Sequence, residues 1–229
     1  MMVFSAVIYI IITIVIYAAM RQVYKKFPLP ILVPIATCTF LLILLLLATR
    51  TSYTEYMTGG VWIDELLGPA VVALAYPLYE NRRILKKYAF TILTSVFAGS
   101  MIGIVSGTAL ARLFHVDEQL ILSLAPKSVT NPIAMDVADI IGGIPALAVI
   151  YVVIAGLSGA MFGPYLLNLF GIWHPVAKGI GLGTASHGTG TARALEIGEL
   201  EGAISSIAMT LSGIFTAIIC PFLAPFILL

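Results

Sequence analysis

The sequence is poor in charge. Of its 229 residues, 10% are Asp, Glu, Lys or Arg, against 60% hydrophobic and a mean hydropathy of +1.07. Soluble domains carry about a quarter charged residues, so a water-soluble globule is excluded and a membrane protein is expected. The formal net charge is +1 and no basic stripe exists, which removes a nucleic-acid partner. Cysteine is scarce too: Cys38 and Cys220 both sit in apolar runs and read as packed thiols, not as a disulfide framework or a metal site. The three histidines lack metal-ligand spacing. No Walker A or dinucleotide glycine motif is present, and the Ser186–His187 pair has no G-x-S-x-G elbow around it. No enzyme and no cofactor are expected. A signal-peptide cleavage pattern is also missing, so the first twenty residues read as a retained spanning helix.

Long apolar runs fill the rest. A helix needs about 20 apolar residues to cross a bilayer core. Phe4–Met20, Ile31–Ala48, Val61–Tyr79, Tyr88–Leu113, Ile144–Phe170 and Ile204–Leu228 are candidates for six full spans. Two stretches, 117–141 and 174–201, are only partly apolar. Seven basic residues fall in two loops on one side, Arg21, Lys25 and Lys26 in one and Arg82, Arg83, Lys86 and Lys87 in the other. The positive-inside rule makes that side cytoplasmic, so both termini are expected outside and 50–60 forms an outward loop. Asp64 and Glu65 then lie near the start of the third span, where acids suit a helix N-terminus; a cation-coupling role is the other reading.

The polar stretches repeat. AMDVADIIGGI at 134–144 aligns with ALEIGELEGAI at 194–204, and the acids match: Asp136 with Glu196, Asp139 with Glu199. Upstream, Ser128 aligns with Ser186, and Gly99, Gly103 and Gly107 align with Ala155, Gly159 and Gly163. Small residues every four positions let helices approach closely in lipid, so this ladder reads as packing. Each unit is a span followed by a polar interruption and a short acidic helix. The expected organisation is an N-terminal scaffold over 1–87 and a core over 88–229, with units at about 88–143 and 144–203 and a final helix at 204–228.

Pro126 and Pro132 bracket the first interruption. Pro132 suits the first position of a new helix and Asn131 its N-cap. In the second, Gly181, Gly183, Gly188 and Gly190 are expected to break the helix, with Thr189 or Thr191 capping its continuation. Paired interruptions in two halves point to a transporter's binding site. Two helix N-termini attract anions. Lys127, His187 and Arg193 add cationic donors, and Ser128, Thr130, Asn131, Ser186, Thr189 and Thr191 neutral ones. The set favours a small carboxylate, gripped by Arg193 in two-pronged fashion. Structural readings stand beside these: Arg193 paired with Glu196 or Glu199, Lys127 near a headgroup, His187 as a packed histidine, and the acids on a solvated face. His187, Asp136 and Glu196 are the candidates for coupling to a co-transported proton or sodium ion.

PAVVALAYPLYE (69–80), PKSVTNPIAM (126–135), GGIPAL (142–147) and GTASHGTGTARALE (183–196) resemble the LrgB/CidB family over essentially the whole chain. That resemblance implies a multi-pass protein of the bacterial cytoplasmic membrane. It implies either of two functions. One is movement of a small monocarboxylate, because the related plastid protein is a glycolate/glycerate translocator and bacterial members are linked to pyruvate. The other is holin- or antiholin-like control of murein hydrolase export and lysis, with a smaller LrgA/CidA-like partner. The family motif falls on Lys127, Ser128, Thr130, Pro132, Ser186, His187, Gly190, Thr191 and Arg193. The expected fold is all-α and polytopic: about six transmembrane helices plus two broken or re-entrant elements in an internal repeat, inverted for preference, parallel if the broken elements span fully. A homo-oligomer, a dimer for preference, is expected. A carrier is preferred, since a pore gives no reason for two matched interruptions.

Overall fold

The computed structural model describes residues 2–66, 69, 72, 73 and 75–228, and it is all-helical over them. It divides into two compact units, 1–75 and 76–229. Four helices are long and apolar enough to cross a membrane: Ser5–Lys26, Arg82–Leu113, Pro145–Leu169 and Glu199–Leu223. Pro34–Thr49 is apolar but shorter. The expected third span and the motif at 69–80 lie partly outside the described residues.

In the first unit, α1 (Met2–Lys26), α2 (Pro34–Thr49) and α3 (Tyr53–Glu65) pack around α1. The Tyr9 hydroxyl donates to Glu55 Oε1 at 3.0 Å, and Thr13 and Tyr56 share a hydroxyl bond of 3.0 Å. The stretch 50–60 is therefore helical from Tyr53 on, not a loop. Ser52 is the reason: its Oγ accepts from the Glu55 N–H at 3.2 Å, the S-x-x-E start signal. The same cap overturns the placing of Asp64 and Glu65. They end α3 instead of opening a span.

After α4 (Ala75–Glu80), which begins at the boundary, the second unit holds α5 (Arg82–Leu113), α6 (Glu118–Leu124), α7 (Asn131–Ile141), α8 (Pro145–Leu169), α9 (Pro175–Ile197) and α10 (Glu199–Leu228). Contacts fix their directions. Ile92 and Val96 near the start of α5 pack on Ile204 and Ala208 near the start of α10. Ser100 and Ser212 share a buried 3.0 Å hydroxyl bond at mid-length, and Ile104 meets Cys220 further along. So α5 and α10 run parallel. Helix α8 runs against them. Its Gly163 faces Leu182 and its Gly159 faces Ser186, while Val176, at the start of α9, joins the cluster at the start of α5.

Both polar stretches fold back on themselves. The first runs through α6, a turn at 125–130 and α7, which ends at the left-handed Gly142 (φ 86°). The chain then returns to α6, and the Ile144 N–H donates to Ser123 Oγ at 2.7 Å. Ala125 and Val137 lie against Ile104 and Cys220, toward the far ends of α5 and α10. The second stretch is α9. Its backbone breaks at His187 (φ 42°, ψ −131°), giving halves α9a (175–186) and α9b (188–197). Both halves flank the first half of α10 in opposite directions: Gly179 beside Ile204 and Gly183 beside Ser205, then Thr191 hydroxyl-bonded to Ser205 at 2.9 Å and Leu195 beside Gly202.

Two local expectations are corrected. The cap of α7 is Thr130, one residue before the expected Asn131, with Pro132 in the first turn after it. Gly181 and Gly183 do not break the helix. A Cβ on Gly183 would meet the Ser205 carbonyl oxygen and lie 2.9 Å from Ser205 Cα, so this glycine lets α9a touch the α10 backbone. Thr191, bonded to Ser205, is drawn away from capping.

Candidate functional site

The apolar stretch of α5 lies between Lys87 and Arg112, so residues 99 and 100 are its middle, about 18 Å from either charge at 1.5 Å per residue. The second fold-back meets α5 there, and the first meets it one to two turns further on, at Gly103 and Gly107. A Cβ on Gly99 would come 3.1 Å from the Thr184 methyl, and one on Gly107 would come 2.9 Å from Lys127 Nζ. Lys127 Nζ donates to the Gly103 carbonyl at 2.7 Å. The two tips also share one residue of α8: the His187 Nε2 bonds the Val152 carbonyl at 3.0 Å, and Val129 packs on Val152. On α10, Gly188 faces Met209 and Ile133 faces Gly213, one turn apart. The starts of α7 and α9b therefore converge between the ends of α8 and α10.

Beside this convergence lies a cavity of about 830 Å³ walled by α5, α8 and α9a. It runs from Tyr88, His174 and Ile172, where α5 begins, to Lys127, Ser128 and Ser106. Its lining is mostly apolar, with polar side chains from Tyr88, Thr91, Ser95, Ser106, Ser128 and His174 and, among the described residues, no carboxylate. Lys127 is the one lysine or arginine among the lining residues. An ammonium has three donors. One is used on Gly103, and among the described residues no acid lies within ion-pair distance. A charge at this depth costs several kcal/mol unless something answers it. An arrangement of one cation, several hydroxyls and apolar walls suits a small organic anion with a single charge.

The sequence-selected residues part company here. Lys127 and Ser128 line the cavity. Ser186 is buried against Gly159. His187, 7% exposed, is tied to Val152. Thr189 lies against Gly156. Thr130 stands at the N-cap position of α7 without a side-chain capping bond, and Asn131, its first residue, is exposed. Arg193 stands outside the cavity lining, and its Nη1 donates to Glu196 at 2.6 Å. Asp136, Asp139 and Glu199 are exposed, as is Glu196 at 41%.

What the sequence reading missed is the wall. Gly99 and Gly107 do more than pack helices: they leave the room that Thr184 and Lys127 occupy, while Gly103 offers Lys127 its carbonyl. Tyr88, Thr91, Ser95, Gly99, Gly103 and Ser106 recur at steps of three and four and form one small, hydroxyl-bearing face of α5. That period is a signal present in the sequence itself.

Kinship agrees with the fold class. The sequence matches the LrgB-like family over residues 13–226. It is 45% identical to the YxaC protein of Bacillus subtilis, over 94% of each chain. It is 36% identical to the holin-like protein CidB of Staphylococcus epidermidis and 35% identical to that of Staphylococcus aureus, over 96% of each chain. No solved structure matches. With several apolar helices of spanning length and these relatives, the protein is a multi-pass membrane protein, and it belongs to the LrgB-like family.

Proposed function

We propose a holin-like protein of the bacterial cytoplasmic membrane whose molecular act is the carriage of a small monocarboxylate. At the level of the cell, the names of the staphylococcal relatives favour the holin-like reading, in which the chain modulates murein hydrolase export and lysis beside an LrgA/CidA-type partner. At the level of the molecule, one observation carries the carrier reading: a lone ammonium, Lys127, held between the ends of α5 in a cavity with no acid among its described lining residues. A hole for large solutes has no use for a single buried charge. Pyruvate, glycolate or glycerate fits a site with one cation and several hydroxyls.

Alternating access follows from the same topology. Helix α5 with the first fold-back, and α8 with the second, form an inverted pair: α8 opposes α5, and the two fold-backs approach from opposite ends. This supports re-entrant elements over fully spanning ones, a recurrent carrier design. Arg82, Arg83, Lys86 and Lys87 put the start of α5 in the cytoplasm, so the end of the cavity lined by Tyr88 and His174 lies toward the inside. A homodimer belongs to the same proposal.

The test reconstitutes this chain alone in liposomes. The carrier reading expects saturable uptake of labelled pyruvate or glycolate without release of an entrapped macromolecular dye. Dye release without saturable uptake supports a pore and sinks the carrier.

Inward carboxylate movement opposes an inside-negative potential by about 2.3 kcal/mol per charge per 100 mV, so uptake needs a co-transported cation. His187 is the coupling candidate, because it sits at the fold-back tip and binds the carbonyl of Val152, the α8 residue on which Val129 of the other tip packs. Lowering the external pH is expected to speed uptake, and His187→Gln to remove that response. A glutamine variant with the full pH response moves coupling to Asp136 or Glu196.

A further inference from the structure

The cavity is far larger than a three-carbon acid. Its volume is about 830 Å³. At a whole water's share of about 30 Å³ for each heavy atom, pyruvate fills less than about a quarter of that. Cavities of about 300–1,000 Å³ take ligands of drug size. The surplus lies on one side of the charge. Lys127 meets α5 at Gly103 and Gly107. The cavity continues to Tyr88, fifteen residues before Gly103, or about 22 Å along the helix. A short acid held by the ammonium leaves most of that length open.

The walls of the open length decide what suits it. Thr184 stands level with Gly99, and Val176 packs at the start of α5. The α9a residues between them therefore flank the stretch from Gly99 toward Tyr88. Val176, Ala177, Ile180 and Gly181 of α9a and Leu167 of α8 line the cavity there, and none has a polar side-chain atom. Thr91 and Ser95 of α5 supply hydroxyls on one wall. Among the described lining residues, no lysine, arginine or carboxylate belongs to this stretch. Apolar walls favour buried hydrocarbon over water. One charged end followed by a long apolar stretch matches a ligand of the same layout.

We propose that the cavity takes amphipathic monocarboxylates, with the carboxylate at Lys127 and a medium-length hydrocarbon tail laid along α9a past Gly181 and Ile180, and that it holds them more tightly than short acids. The inference rests on the carrier reading and enlarges its substrate class. Each methylene buried along the wall should improve binding by about two- to fourfold.

The test measures saturable uptake of labelled pyruvate into liposomes carrying the whole chain, with 2-oxobutanoate, 2-oxohexanoate or 2-oxooctanoate as competitor. These acids share pyruvate's head group and stay ionised at neutral pH, so only the tail varies. The half-inhibitory concentration is expected to fall at least about tenfold from 2-oxobutanoate to 2-oxooctanoate. Gly181→Leu narrows the path of the tail. A Cβ at that position meets only Leu167, at 3.5 Å, which is ordinary contact, so the helix accepts it. In this variant the ratio between the two acids should shrink to within about threefold. Ile180→Phe is expected to do the same and serves if the leucine chain does not reconstitute. A parent that takes up pyruvate saturably but gains nothing from longer tails overturns the inference and leaves the carrier intact. A reconstituted variant of either kind that keeps the parental ratio also overturns it, because the gain then comes from the bilayer or another surface. A parent without saturable pyruvate uptake overturns the carrier reading and this inference with it.

Discussion

Replacing Lys127 with methionine is expected to reduce saturable carboxylate uptake by a hundredfold or more while the protein still inserts and remains monodisperse. Methionine preserves most of the side chain's length and its packing over Gly107, whose missing side chain leaves room for the ammonium: a Cβ there would lie 2.9 Å from Nζ. What the substitution removes is the charge. An anion entering a cavity with mostly apolar walls sheds water, and without a counter-charge the cost of that step is several kcal/mol, which corresponds to two orders of magnitude or more in rate. Only the Gly103 carbonyl loses a protein partner, so folding suffers little. The measurement is initial uptake in proteoliposomes beside thermal unfolding in detergent. Uptake within a few-fold of the parent would remove Lys127 from the pathway. A chain that unfolds at much lower temperature would make its role structural.

The second large effect is on stability. Gly183→Ala should lower the midpoint of thermal unfolding by about 5–10 °C, because overpacking of about one to three kcal/mol shifts a chain of this size by a few degrees per kcal/mol. The added methyl would meet the Ser205 carbonyl oxygen and approach Ser205 Cα and Oγ at 2.9 Å. Backbone cannot rotate away as a side-chain tip can. Relief requires α9a to withdraw from α10, which strains the Thr191–Ser205 bond and the packing of Val176 on Ile204. Gly103→Ala is the matched control: its methyl finds nothing within 4 Å, and alanine favours helix over glycine by up to about 1 kcal/mol, so its midpoint should equal or slightly exceed the parent's. Equal midpoints for the two variants would mean that α9a and α10 are less tightly joined than their backbone contact implies.

Part of the fold and the site is legible in the sequence. Hydropathy alone decides the membrane class, since no arrangement of so few charges could solvate a globule of this length. The first interruption is favoured locally, because Pro126 and Pro132 each remove a helix hydrogen bond within seven residues, whereas the single Pro164 leaves α8 continuous. The second lies where the glycines suggest, but for a different reason. The helix runs through Gly181 and Gly183 and turns at His187, a residue with no local preference for that backbone and held there by its bond to Val152. A local signal cannot reveal a break imposed by a distant carbonyl.

The azimuth of each polar side chain is out of the sequence's reach in the same way. Successive residues on a helix point about 100° apart, so Thr184, Ser186 and His187 face different neighbours. Which of them faces a cavity depends on how the helix is rotated against α5, α8 and α10. An amphipathic stripe would reveal that rotation, but α9a is apolar or small on nearly every side, so its sequence carries none. The sequence by itself determined a membrane protein with two paired breaks and a reserve of polar groups around them. Only the tertiary structure decided that Ser186, His187 and Thr191 bury themselves against other helices while Lys127 and Thr184 border the cavity, because glycine contacts between helix backbones, not local preference, set the rotation of each half-helix.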